Sequence, residues 1–350
     1  MKRYLEFVAL AAFFVALGVG VQGVRGAQKA QDTKGARNTQ DAQIASQFSF
    51  TTKAYEAMNR WVVFPPSSGP DPRYLYGFVY TDLKAGFTFR IESTFKIENG
   101  KLVAQRKGDV IEGLSRFRIN PGTRDVAILT PEQVAQLGLP VEPEWLRIYE
   151  PPTETGVEYL KDMGYCYNAA GVYEKALEYL RPAYEQQPHY KGLEYELAFA
   201  YNALKRFDEA IAVADSAIAN TPDDPMLYRE LGYALKWKGD MEDAEKACRT
   251  GIEKSSSNEM RAEMAVNMAH GYFMVRNRDK YRQWVVETAK YATPGSQQMR
   301  HIDAFNSEWD KPDTVKLPPA GTIPGPQAPA AVVTSEAPTI PAPPETQSGN

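Results

Sequence analysis

Between Phe87 and Ile97 the apolar residues fall on alternate positions: Phe87, Phe89, Ile91, Phe95 and Ile97 are interleaved with Thr88, Arg90, Glu92, Thr94 and Lys96. A period of two predicts a strand with one dry face and one wet face. Asn99-Gly100 follows, then Leu102-Val103-Ala104, which is the signature of a hairpin because both turn residues tolerate positive φ. Tyr74, Tyr76, Phe78 and Tyr80 alternate just upstream, and Trp61-Val62-Val63-Phe64 and Asp125-Val126-Ala127-Ile128-Leu129 are further short strand candidates. The run Pro65-Pro66-Ser67-Ser68-Gly69-Pro70 reads as a loop. Thr130 is placed to cap a short helix, with Pro131 at its first position and Glu132 and Gln133 in its first turn. Residues 46–150 therefore read as a small antiparallel β domain with a minor helix.

From about residue 155 the apolar period becomes helical, and the pattern repeats every 34 residues. Gly164, Ala198 and Gly232 fall in register, preceded by Met163, Leu197 and Leu231 and followed by Tyr167, Tyr201 and Leu235. Ala176, Ala210 and Ala244 come next, then Ala183, Ala217 and Gly251; Pro188 and Pro222 close two units, and Ser256 stands in the third. Each unit reads as two helices joined by a tight turn, near Gly171 and Gly239-Asp240. Small residues let the two helices approach, and proline ends the unit because it cannot continue a helix. One such unit cannot bury its apolar face alone, so successive units must stack.

These landmarks resemble those of the tetratricopeptide repeat family. The resemblance covers units at about 157–190, 191–224 and 225–258, and a degenerate unit at 259–293 (Gly271, Tyr272, Asp279, Tyr281, Ala289, Ala292) whose turn is expected to carry extra residues and which is placed to cap the array. Leu160, Glu194 and Tyr228 occupy the place where the family often has tryptophan. The expected fold is α+β and multidomain: a small antiparallel β domain, which resembles no recognised family, followed by an α-solenoid of helix pairs spanning 155–293.

The resemblance implies a groove, lined by the first helix of each unit, that binds a peptide or partner helix. Carried over by position, it would present Lys161, Tyr165 and Asn168 from the first unit, Tyr195, Phe199 and Asn202 from the second, and Arg229, Tyr233, Lys236 and Trp237 from the third. Asparagine offers a donor and an acceptor to an extended backbone. Aromatic faces give contact area with few rotors to freeze. The three cations are suited to an acidic group.

At the N-terminus, Lys2 and Arg3 precede an apolar run from Phe7 to Val21 and small residues ahead of Ala27. This is the layout of a secretory signal peptide, assigned to 1–26. An uncleaved anchor is the other reading, and the only expected route to a membrane. Residues 27–45 read as a polar, flexible spacer, 294–310 as a C-terminal extension, and 311–350, which hold ten of the 25 prolines, as a disordered Pro/Ala-rich tail. The expected location is exported, periplasmic or associated with the cell envelope.

Lysine and arginine total 40 against 44 aspartates and glutamates, a net charge of −4 that gives no basic footprint for nucleic acid. The two cysteines, Cys166 and Cys248, are separated by intervening helices, so each reads as a small buried hydrophobe rather than half of a disulfide. His189, His270 and His301 form no pair at metal-ligand spacing, and no nucleophile elbow, phosphate loop or H-E-x-x-H occurs. No cofactor, metal or catalytic residue is expected. The reading is a non-enzymatic, exported scaffold or adaptor that binds another polypeptide. The alternative is a carbohydrate- or ligand-binding module in the β domain, with the row Tyr74, Tyr76, Phe78 and Tyr80 as a stacking surface and the repeats as support.

Overall fold

The computed structural model describes residues 39–68, 71–105, 116–149 and 156–309. The signal segment, most of the spacer and the 311–350 tail lie outside the described residues.

Among the described residues six strands form one antiparallel sheet: β1 (Arg60–Val63), β2 (Tyr74–Asp82), β3 (Gly86–Glu98), β4 (Lys101–Ala104), β5 (Arg116–Arg118) and β6 (Ala127–Ile128). The order is β4-β3-β2-β1-β6, with β5 also paired to β3. Asn99 and Gly100 turn the β3–β4 hairpin with φ of 53° and 72°, as the dipeptide predicts. Helix α1 (Pro131–Gln136) starts at Thr130, whose side chain accepts from the Gln133 amide while the Gln133 side chain accepts from the Thr130 amide, a reciprocal capping box.

The sheet departs from the expected one dry and one wet face. Tyr76 pairs with Ser93 and Gly77 with Ile91, so Glu92 is an extra residue in β3. This bulge moves the side chains beyond it to the opposite face. Phe87, Phe89 and Ile91 join one core with Val62, Val79 and Ile119, whereas Phe95 joins a second with Trp61, Tyr74, Tyr76, Phe78 and Tyr80. Both faces are dry. The second core is covered by Phe48, α1 and a 3-10 turn at Glu144–Tyr149, where Trp145 packs on Phe78 and Tyr80. The row Tyr74, Tyr76, Phe78 and Tyr80 is 6%, 3%, 0% and 0% exposed. It is core, not a stacking surface, and the carbohydrate-binding alternative loses its only support.

Residues 39–45 are helical rather than part of a flexible spacer, and Asp41 accepts from the Gly100 amide at 2.7 Å, tying this segment to the hairpin.

Among the described residues the helical half holds four pairs. They are α2 (Val157–Ala170) with α3 (Tyr173–Gln186), α4 (Leu193–Ala203) with α5 (Phe207–Asn220), α6 (Pro225–Lys238) with α7 (Met241–Lys254), and α8 (Asn258–Met274) with α9 (Arg278–Tyr291). The first member of each pair is called its A helix. The 34-residue landmarks sit at contacts between the two helices of a pair. A Cβ on Gly164 would overlap Leu180, and one on Gly232 would lie 2.5 Å from Cys248 Sγ. Ala176, Ala210 and Ala244 are each fully buried. In the fourth pair the extra residues lengthen the A helix, 17 residues against 14 in α2 and α6, rather than the turn. The last pair is itself covered by α10 (Gln297–Trp309), which the sequence left as an extension. Ile302 is buried, Phe305 stacks on Phe273 and Trp309 stacks on Tyr281.

The two halves share a core. Met163, Cys166 and Ala170 of α2 pack with Phe87, Phe89 and Val79 of the sheet, and the Phe87 and Tyr167 rings meet edge-on at 4.8 Å. The sheet thus covers the open face of the first pair, as α10 covers that of the last. Both cysteines are buried and free, as small hydrophobes.

Candidate functional site

The A helices meet side by side, and the structure brings the sequence-predicted residues onto this shared face. The face has a repeating grammar. Asn168 donates through Nδ2 to the backbone oxygen (2.9 Å) and carboxylate (2.8 Å) of Glu196 in the next A helix, 28 residues on. Asn202 makes the same two bonds to Glu230, each at 3.0 Å. Both asparagines are almost wholly buried, and the Oδ1 atom of each has no partner among the described residues.

Tyr195 and Arg229 occupy one repeat position and touch. Arg229 donates to Tyr195 Oη at 2.5 Å, to Glu230 at 3.0 and 3.1 Å, and to Glu263 at 3.3 Å. Burial works against the Arg229 charge, but Glu263, Tyr195 and Glu230 outweigh it and hold its pKa above the ordinary arginine range. Burial pushes the Glu196 carboxyl up to about 7, against the hydrogen bond from Asn168 and the charge of Lys161. Lys161 pairs with Asp162 at 2.5 Å.

Of the ten predicted residues, Asn168, Tyr195, Phe199, Asn202, Arg229, Tyr233 and Lys236 are buried, while Lys161, Tyr165 and Trp237 keep part of their surface. The arginine and the first lysine are thus already paired within the chain, and both asparagine donors are spent on glutamates. Tyr165 lies under the Arg118 guanidinium of the sheet at 5.5 Å, so the β half contributes to this end of the face. At the other end Lys236 Nζ lies 4.6 Å from the Tyr233 ring centre and 4.8 Å from that of Trp237, and Trp237 meets His270 at 5.7 Å.

Glu196, Glu230, Glu263 and His270 belong to this face, although none was among the residues expected to line the groove. The signal was present: Glu196 and Glu230 are one repeat apart, as are Lys236 and His270. Glu194, the departure from the expected bulky residue, is buried and pairs with His189 at 2.7 Å, while Asn220 donates to the other ring nitrogen at 3.1 Å. Among the described residues no group of three His, Cys, Asp or Glu side chains is placed to hold a metal ion.

Residues 167–231 match the sequence model of the tetratricopeptide repeat family. Over that stretch the helix pairs are tetratricopeptide repeats, and the pairs on either side have the same two-helix form. Among solved structures the chain is similar to MamA from Desulfovibrio magneticus RS-1, at 18% identity, covering 49% of this chain and 85% of that one with a TM-score of 0.35. It is also similar to TTC0263, a thermophilic TPR protein of Thermus thermophilus, at 18% identity, covering 46% and 84% with a TM-score of 0.38. No curated protein matches the chain.

Proposed function

We propose that this protein is an exported, non-catalytic scaffold that holds another polypeptide along the A-helix face of its tetratricopeptide array. The observation that carries the reading is the repetition on that face. Asn168 and Asn202 stand at the same position of successive units, and each ties its A helix to a glutamate of the next, beside a buried ion network that fixes the geometry of the face. A face held rigid in this way lowers the cost of holding an extended chain across it. Tetratricopeptide repeat proteins bind other polypeptides, and the part-exposed Lys161, Tyr165 and Trp237 supply the reachable contacts. Export rests on the basic start and apolar run of residues 1–26.

The test is affinity capture from cell-envelope extracts, comparing the intact chain with a Lys161→Glu/Trp237→Ala variant. Both substituted residues are part-exposed, so a thermal melt should confirm that the variant folds. One polypeptide retained by the intact chain and lost by the variant supports the reading. Equal retention by both moves binding to the β half or the tail, and retention by neither overturns it.

A further inference from the structure

An open cleft of about 400 Å3 lies where α7, α8 and α9 meet, lined by Arg249, Ile252, Glu253, Arg261, Glu287 and Tyr291. None of these residues was expected to line the peptide groove, and the scaffold reading uses none of them. The volume falls within the roughly 300–1,000 Å3 of small-ligand sites. Helical spacing builds the walls: Arg249, Ile252 and Glu253 share one side of α7, and Glu287 and Tyr291 stand four apart on α9. Ile252 is buried and forms an apolar floor, while Arg249 and Glu253 are exposed at the mouth.

Both guanidiniums are held in place with one edge left over. Arg249 lies over the Trp284 ring at 4.6 Å and donates to Glu245 through Nε at 3.0 Å and Nη2 at 2.8 Å. Arg261 lies over the Tyr291 ring at 5.5 Å. It donates through Nε to the Ile252 backbone oxygen at 3.1 Å and through Nη1 to Asn258 Oδ1 at 3.3 Å. Arg249 Nη1 and Arg261 Nη2 therefore keep no hydrogen-bond partner among the described residues.

The two acids of the cleft differ. Glu287 accepts from Lys290 and from Tyr291 Oη. Burial works against its charge, but these partners and the nearby Arg249 outweigh it and hold its carboxyl below the ordinary glutamate range. Glu253 is exposed and has no hydrogen bond or ion pair among the described residues. A simple anion in the cleft would meet Glu253 and Glu287, and a simple cation would meet Arg249 and Arg261. A ligand bearing both signs satisfies both walls. Guanidinium edges match a carboxylate, and fixing them beforehand lowers the cost of binding one.

We propose that this cleft binds a small zwitterion with an apolar side chain, of which a free α-amino acid is the simplest. Its carboxylate sits on the free edges of Arg249 and Arg261, its ammonium on Glu253, and its side chain against Ile252 and the Tyr291 ring. The proposal does not depend on the polypeptide that the array holds.

The experiment is a methyl NMR titration of the full chain labelled at isoleucine Cδ1, with the Ile252 signal assigned by its loss in Ile252→Val. The probes are L-leucine, N-acetyl-L-leucine, which lacks the ammonium, and L-leucinamide, which lacks the carboxylate; the dipeptide Gly-Leu separates a peptide source from a free amino acid. Leucine should shift the Ile252 methyl saturably, with a Kd of roughly 1 mM or below. Each single-charge analogue should bind about tenfold or more weakly, and so should leucine to Glu253→Gln, since a hydrogen bond to a charged group is lost in every case. Glu253 is exposed, and a thermal melt should confirm that its variant folds. Binding of Gly-Leu in place of leucine keeps the zwitterion site and assigns it to short peptides. An Ile252 methyl unmoved by leucine and Gly-Leu up to about 10 mM, a concentration that would saturate such a site, overturns the proposal. So does N-acetyl-leucine binding as tightly as leucine, or Glu253→Gln binding leucine as the intact chain does.

Discussion

Asn202 holds Glu230 twice, donating through one amide nitrogen to both its backbone oxygen and its carboxylate. The pair links the A helices of the second and third units at a point that water does not reach. Asn202→Leu removes both hydrogen bonds and leaves the Glu230 carboxylate to Arg229 alone. Loss of a buried partner to a charged group costs about 2–3 kcal/mol. Urea unfolding of Asn202→Leu should show a lower midpoint with an unchanged slope. A loss under about 0.5 kcal/mol, the ordinary scatter of surface changes, would mean that the ladder does not carry the stacking.

Gly232 belongs to the contact between α6 and α7. A methyl group there meets Cys248 Sγ at 2.5 Å. Overpacking of this kind costs about 1–3 kcal/mol. Gly232→Ala should lower the melting temperature, and Cys248→Ala should recover part of the loss by removing the sulfur. The measurement is a double-mutant cycle by thermal melting, in which the two changes are strongly non-additive.

The same contact explains how much of the fold was legible. Close approach tolerates only small side chains, so Gly164, Ala198 and Gly232 had to recur at the repeat spacing and could be read directly. The bulge at Glu92 left no such mark. An alternating run looks the same whether or not one residue is extra, so the exchange of faces between Ile91 and Phe95 was hidden. With it went the fact that the sheet is dry on both sides. In the site, the A-helix positions were legible from the repeat, but their states were not. Arg229 read as a free cation because its partners are Glu230, adjacent in sequence but poorly weighted, and Glu263, one unit away. Lys236 read as one of three equivalent cations, although among the described residues it alone of the three lacks an acid.

Phe87 sits where the sheet and the array share a core, fully packed against Tyr167. Phe87→Ala should cost about 3–5 kcal/mol, the range for a buried phenylalanine. Because Met163 and Cys166 of α2 lie in the same cluster, the loss should appear in the array as well as in the sheet. Hydrogen exchange by mass spectrometry should show faster exchange in α2 than in α8. Faster exchange confined to the sheet would mean that the first helix pair stands without its β cover.

Glu196 makes the stability of the array depend on pH in a direction opposite to that of most paired carboxylates. Burial raises its pKa in the folded chain from 4.5 to about 7. Between these values the folded state keeps a proton that the unfolded state has released, so stability falls as pH rises through the window. Above about 7 the cost is complete, because the carboxylate is then charged and buried in both senses that matter: out of water, and facing Glu230. Glu196→Gln cannot ionise, and its amide oxygen can still accept from Asn168. The variant should match the intact chain near pH 4.5 and become progressively more stable than it towards pH 7, by on the order of 2 kcal/mol. Urea midpoints for both proteins across this range give the answer. A constant difference would show that Glu196 titrates as an ordinary surface carboxylate, and a difference of opposite sign would show that the charged form is the one the array needs.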